Sequence, residues 1–150
     1  MNIIKFVKGL FMDKVYKVID NEDVVKIVRK SSPRCVVNDL IDQSRDRKYR
    51  LKITKENAES MAYALSQELE GTYETDYNDC DDGTDILVGR MKFKYRGSPI
   101  GWATLKNIAT NKLHSVAYII DDKEHGYYVD GWTGKIYDDN PTFLRIDLTI

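Results

Sequence analysis

Three residues in the second half of the chain, Cys80, His114 and Asp130, carry side chains that would do nucleophilic chemistry if brought together. A thiolate attacks, an imidazole moves its proton, and a carboxylate on the far ring nitrogen fixes the tautomer. Cys80 sits in the acidic segment 73–85 (YETDYNDCDDGTD), ahead of an apolar run at 82–91 with Ile86, Leu87, Val88 and Met91. If that run is helical, the thiol lies in its first turn, where the helix terminus favours the thiolate. The acids Glu74, Asp76, Asp79, Asp81, Asp82 and Asp85 oppose ionisation, so an imidazolium partner is required. Without such a partner, a cysteine in this setting is a small buried side chain. His114 opens the alternating run HSVAYII, and Asp130 closes GYYVD before the turn Gly131-Trp132-Thr133-Gly134. If the two runs form a hairpin around 121–126, the start of one neighbours the end of the other. The acid can then hold one ring nitrogen and leave the second for the thiol. The bland alternatives are a histidine capping a turn and an aspartate initiating one.

The elements that must position these residues divide the chain by texture. Residues 1–72 read as mainly helical. Ile3, Ile4, Val7, Leu10, Phe11, Val15 and Val18 recur at helical spacing, although 15–19 reads equally as a strand. Asn21 with Glu22 and Asp23 marks a helix start, and Val24, Val25, Ile27 and Val28 supply its buried stripe. A short helix is expected over 34–43. The clearest helix spans 55–70, capped by Thr54 and ended by Gly71, with Ala58, Met61, Ala62, Leu65 and Leu69 on one side. From residue 91 the period shifts toward two, and strands are expected at 91–95, 100–108, 115–120, 127–130, 135–137 and 143–150. The expected architecture is one α+β domain over 1–150: helices first, then one more helix and a small antiparallel sheet carrying the site.

Composition narrows the function classes. With 42% hydrophobic and 31% charged residues the chain is neither a disordered tail nor a membrane protein. A net charge of −1 argues against a dedicated nucleic-acid binder and against a nucleic-acid mimic. The cluster Arg45, Arg47, Lys48, Arg50, Lys52 and Lys55 is basic but short and interrupted by Asp46, so it reads as a solvated loop. Cys35 and Cys80 make at most one bridge, and with His114 and His125 they match no zinc spacing. Cys35 reads as core, and His125 as a residue of the hairpin turn. The segment 73–85 does not fit an EF-hand, because Cys80 and Gly89 fall on ligand positions. No apolar run of about 18 residues and no signal peptide is read, which makes the cytoplasm the expected compartment.

The ordered set N-D-C-D-D, I-G-W, H-S-V-A-Y and Y-Y-V-D-G-W-T-G-K-I-Y resembles the papain-like C-terminal domain of the Marasmius oreades agglutinin and its short phage-encoded relatives. The resemblance covers residues 76–138 and implies a papain-like or transglutaminase-like core. It also implies Cys80 as nucleophile, His114 as base and Asp130 as the orienting acid. In that family the acid is a glutamate in E-P-Q-x-G and the histidine opens H-A-x-N. Here Asp130 is one methylene shorter, Gly131 stands for the proline and Trp132 for the glutamine. Ser115 stands for the alanine, and Gly83 stands where an aromatic is usual. The family's calcium dependence carries over to Asp81 and Asp82 as candidate ligands; no other cofactor is implied.

Two functions follow as expectations. One is a cysteine hydrolase acting on a peptide, with Trp132 and Asp81 facing the substrate, Trp102 packing inside, and helix-start N–H groups as an oxyanion hole. The other is a catalytically silent phage or bacterial protein that binds and inhibits a host protein through Tyr127, Tyr128, Trp132 and Tyr137. The Lys-, Ile- and Asn-rich composition suits an AT-rich bacterium or its phage.

Overall fold

A computed structural model of the chain describes residues 15–31, 39–40, 48–74, 79–138 and 143–150. Among these lie β1 (Val18–Asp20), α1 (Asn21–Ser31), β2 (Asp39–Leu40), β3 (Lys48–Arg50), α2 (Lys55–Leu69) and α3 (Cys80–Lys94). Five further strands follow: β4 (Ile100–Asn107), β5 (Leu113–Ile120), β6 (Gly126–Asp130), β7 (Lys135–Tyr137) and β8 (Phe143–Thr149). Most of the expected leading helix, Cys35, Arg45, Arg47 and Asp76 fall outside the described residues.

Local chemistry starts each helix. At α1 the Asp23 N–H donates to the Asp20 carboxylate at 3.0 Å and the Asp20 N–H returns to Asp23 at 3.5 Å. The cap is therefore Asp20, one residue ahead of Asn21, because only Asp20 stands three residues before a carboxylate that can reciprocate. Thr54 caps α2 by accepting from the Asn57 N–H at 3.1 Å, and Gly71 leaves the end of that helix at φ 76°. Asp79 caps α3 in a reciprocal box with Asp82.

The main sheet runs β2-β8-β4-β5-β6-β7, with β2 parallel to β8 and the remaining pairs antiparallel. β1 and β3 form a separate antiparallel ribbon. Strand β5 shows how the layers assemble. Val116, Tyr118 and Ile120 pack with Ile19, Val24, Val28 and Tyr49 from the ribbon and α1. Ala117 and Ile119 pack with Ala58, Leu65, Leu87, Val88 and Met91 from α2 and α3. All five β5 residues are fully buried, so the sheet is covered on both sides. Each fully buried Val or Ile contributes roughly 1.5–3 kcal/mol.

The class is α+β, with two departures from the expected arrangement. The segment 91–95 is not a strand: α3 continues to Lys94. A strand there would put Met91 and Phe93 on one face, but Met91 is 0% exposed and Phe93 72%. The helical spacing of Leu87, Val88 and Met91 against β5 decides the conformation, because three anchors in the helix cluster outweigh a two-residue alternation. Nor do helices simply precede the sheet. The first half supplies β1, β2 and β3, α1 covers one face, α2 and α3 cover the other, and residues 39–40 of the expected 34–43 helix pair with β8.

Two glycines test the packing in opposite directions. A Cβ on Gly101 would run into the backbone carbonyl of Thr149 on β8, whereas one on Gly89, inside α3, meets nothing within 4 Å. Gly101→Ala is expected to lower stability by about 1–3 kcal/mol and Gly89→Ala to raise it by about 0.5–1 kcal/mol. Urea unfolding of the two variants, followed by circular dichroism, checks both signs.

Candidate functional site

β5 and β6 pair from Ala117↔Val129 to Ile120↔Gly126, so Asp130 falls diagonally across from His114. The two side chains meet: His114 Nε2 lies 2.9 Å from Asp130 Oδ2. The second oxygen, Oδ1, accepts the N–H groups of Trp132 at 2.9 Å and Thr133 at 3.2 Å. Asp130 is 2% exposed, and this turn is what allows a carboxylate to be buried there. Burial pushes its pKa up. The His114 hydrogen bond and charge, with the Thr133 hydroxyl and N–H, outweigh that and hold the carboxyl below its ordinary value.

Past Ala117 toward its start, β5 has no β6 partner. α3 fills the notch. Thr84, 1% exposed, donates its hydroxyl to the Ser115 carbonyl at 2.9 Å. The Ser115 N–H lies near enough to the Cys80 sulfur to favour its thiolate. The Ser115 hydroxyl donates to the Asp81 carboxylate. Cys80 is thus the first residue of α3, half-buried, and set beside the residue that follows His114. Its thiol donates to Asp81 Oδ1 at 3.8 Å. Burial pushes the thiol up, and the charges of Asp81 and Asp79 add to this; the N–H groups of Ser115 and of Cys80 itself oppose it.

The other expected site residues are placed as follows. Trp132 donates its indole N–H to the Asp79 carbonyl and meets Tyr73 edge-on, with centroids 5.1 Å apart. Asp82 accepts the Asp79 N–H at 3.2 Å, which commits it to the cap. Trp102 lies at the surface, 37% exposed, donating to Asp85 at 2.7 Å beneath the Lys92 ammonium. His125 pairs with Asp138 at 2.8 Å, away from the notch. Tyr128 is 4% exposed and stacked edge-on against Tyr118, so the four expected contact aromatics do not share one exposed surface.

Among the described residues, Asp79, Cys80 and Asp81 offer ligand atoms within 4.8 Å of one another. Calcium takes six to eight oxygens, and two carboxylates already bonded to Ser115 and to the cap, plus a sulfur, do not supply that shell. Sequence reasoning missed Ser115, Thr84 and the Asp79–Asp82 box. The D-x-x-D spacing signals the box; nothing local signals the other two.

A helix start lodged against the open edge of an antiparallel sheet, with a histidine and an acid on adjacent strands, defines an α+β fold. The same fold occurs in the lectin of Polyporus squamosus, in its complex with the human-type influenza-binding epitope Neu5Aca2-6Galb1-4GlcNAc. The TM-score is 0.68 at 11% identity over 89% of this chain and 49% of that one. A PSL1a–E64 complex gives 0.67 at 10% identity, over 89% and 51%. The chain spans about half the length of these neighbours, and the likeness is one of fold. No protein-family model and no curated protein sequence matches the chain.

The depressed Asp130 carboxyl has a sign. Its folded value lies below the unfolded one, so its contribution is complete above the ordinary carboxylate range and is lost as pH falls through the folded value. Wild-type stability is expected to decline below about pH 4. Asp130→Asn is expected to cost about 1–3 kcal/mol at pH 7 and to flatten that acid decline, as read from urea midpoints across pH 3–7.

Proposed function

We propose that this chain is a papain-like cysteine hydrolase acting on a peptide bond, with Cys80 as nucleophile, His114 as base and Asp130 as the acid that orients it. The observation carrying this reading is the 2.9 Å His114–Asp130 bond at the notch that receives the first residue of α3. The likeness to a fungal lectin agrees in direction with the sequence resemblance to an agglutinin domain, and the family role of Asp130 is supported by its burial.

The chemistry follows from the donors. With Nε2 bonded to the carboxylate, the ring's proton stays on Nε2 and the Nδ1 lone pair is left for the thiol. Because burial, Asp81 and Asp79 keep the thiol protonated, the reaction starts from the thiol and not from a thiolate. As Cys80 attacks the carbonyl carbon, its proton passes to Nδ1 and the C–S bond forms. The tetrahedral oxyanion requires a donor. The Asp79 side chain serves the Asp81 and Asp82 N–H groups, and the Asp79 carbonyl takes that of Gly83 at 3.1 Å. The N–H of Cys80 is the first-turn donor remaining. The imidazolium then protonates the leaving amine, the C–N bond breaks, and water hydrolyses the thioester by the reverse proton path.

A second reading, a binding protein without turnover, is favoured by the raised thiol: the acids around Cys80 penalise the reactive form. Its ligand would be a protein or, by analogy with the lectin neighbours, a carbohydrate.

Iodoacetamide labelling separates the two. The hydrolase reading expects Cys80 to be carboxamidomethylated ahead of Cys35, His114→Ala to slow this by at least about tenfold at pH 7, and Cys80→Ala to abolish peptide cleavage. Equal labelling of both cysteines, with ligand binding retained in Cys80→Ala, establishes the binding protein instead.

A further inference from the structure

The turn that carries Asp130 also reaches the helix that carries Cys80, and it does so through one residue. The main-chain N–H of Trp132 donates to Asp130 Oδ1 at 2.9 Å. Its indole N–H donates to the carbonyl of Asp79, the residue before Cys80. The ring lies on α3 at Gly83, where a Cβ would collide with indole atoms Nε1 and Cδ1. Beneath it, a Cβ on Gly131 would stand 2.9 Å from the Gly83 carbonyl. Gly131 and Gly83 thus let turn and helix backbones approach, and Tyr73 closes the outer edge of the indole. The Asp79 carbonyl already accepts the Gly83 N–H within the helix, so the indole bond is an added constraint on where α3 begins and not one the helix needs to form.

We infer that Trp132 is a positioning residue that sets the placement of the Cys80 thiol relative to the His114–Asp130 pair. The inference rests on the hydrolase reading. Its two N–H groups hold the carboxylate from one side and the helix start from the other. Losing the indole donor leaves the first turn of α3 held by Thr84 and Asp81 against Ser115, while Leu87, Val88 and Met91 still anchor the rest of the helix. Displacements below an ångström at a reacting pair cost large factors in rate, so the effect falls on reactivity more than on folding.

The test is a double-mutant cycle on the full chain, reading the pH–rate profile of Cys80 carboxamidomethylation by iodoacetamide alongside the thermal midpoint. Trp132→Phe keeps the ring and removes the N–H donor. It is expected to slow the neutral-pH reaction about tenfold, move the profile toward that of His114→Ala, and leave the midpoint within a few degrees. Added to His114→Ala, it should change nothing further. Gly83→Ala, which displaces the indole from the other side, should slow the reaction likewise while also lowering the midpoint. If Trp132→Phe superimposes on wild type while His114→Ala does not, the positioning role is wrong and the hydrolase reading stands. If His114→Ala itself superimposes on wild type, both are wrong.

Discussion

Strand β6 stops at Asp130 while β5 runs back to Leu113, so the backbone N–H and C=O of Ser115 face no strand on that side. An unpaired backbone group shielded from water costs about 1–3 kcal/mol, and α3 supplies the partner that the carbonyl lacks. The Thr84 hydroxyl takes the carbonyl, and Asp81 takes the Ser115 side chain. The N-terminal turn of α3 therefore continues the sheet where the next strand has left it. The location of the thiol and the approach of the Trp132 turn follow from this closure.

The same contacts set the electrostatics. Asp79 and Asp81 serve as cap and as acceptor for Ser115, roles that a helix start rewards. They also put two negative charges beside a half-buried sulfur and raise its pKa. A helix terminus that lowered the thiol would need neutral caps. Across the notch stands the His114–Asp130 pair, with the carboxylate satisfied on both oxygens. Gly83 and Trp132 show a similar exchange. The indole occupies the space that a side chain at 83 would take, so a small residue on the helix and a large one on the turn form a single packed unit.

Much of this was legible from local pattern. Alternation and turn residues located β4 through β8, and the Thr54 cap, the apolar stripe and Gly71 located α2. Hairpin logic alone brought His114 to Asp130, because antiparallel pairing makes strand ends neighbours whatever else surrounds them. The end of α3 was misread because M-K-F-K-Y satisfies two periods, and only burial of Met91 against β5 chooses between them.

The chain's own order of residues determined which groups could react and which strand ends would meet, since both depend on spacing of a few residues and on periodicity. Tertiary structure alone decided the approach of Cys80 to Ser115, the role of Thr84, and the reach of Trp132 to Asp79. These contacts join positions more than thirty residues apart. They depend on how a helix docks into an unfilled strand edge, and no local period encodes the direction in which a docked side chain donates.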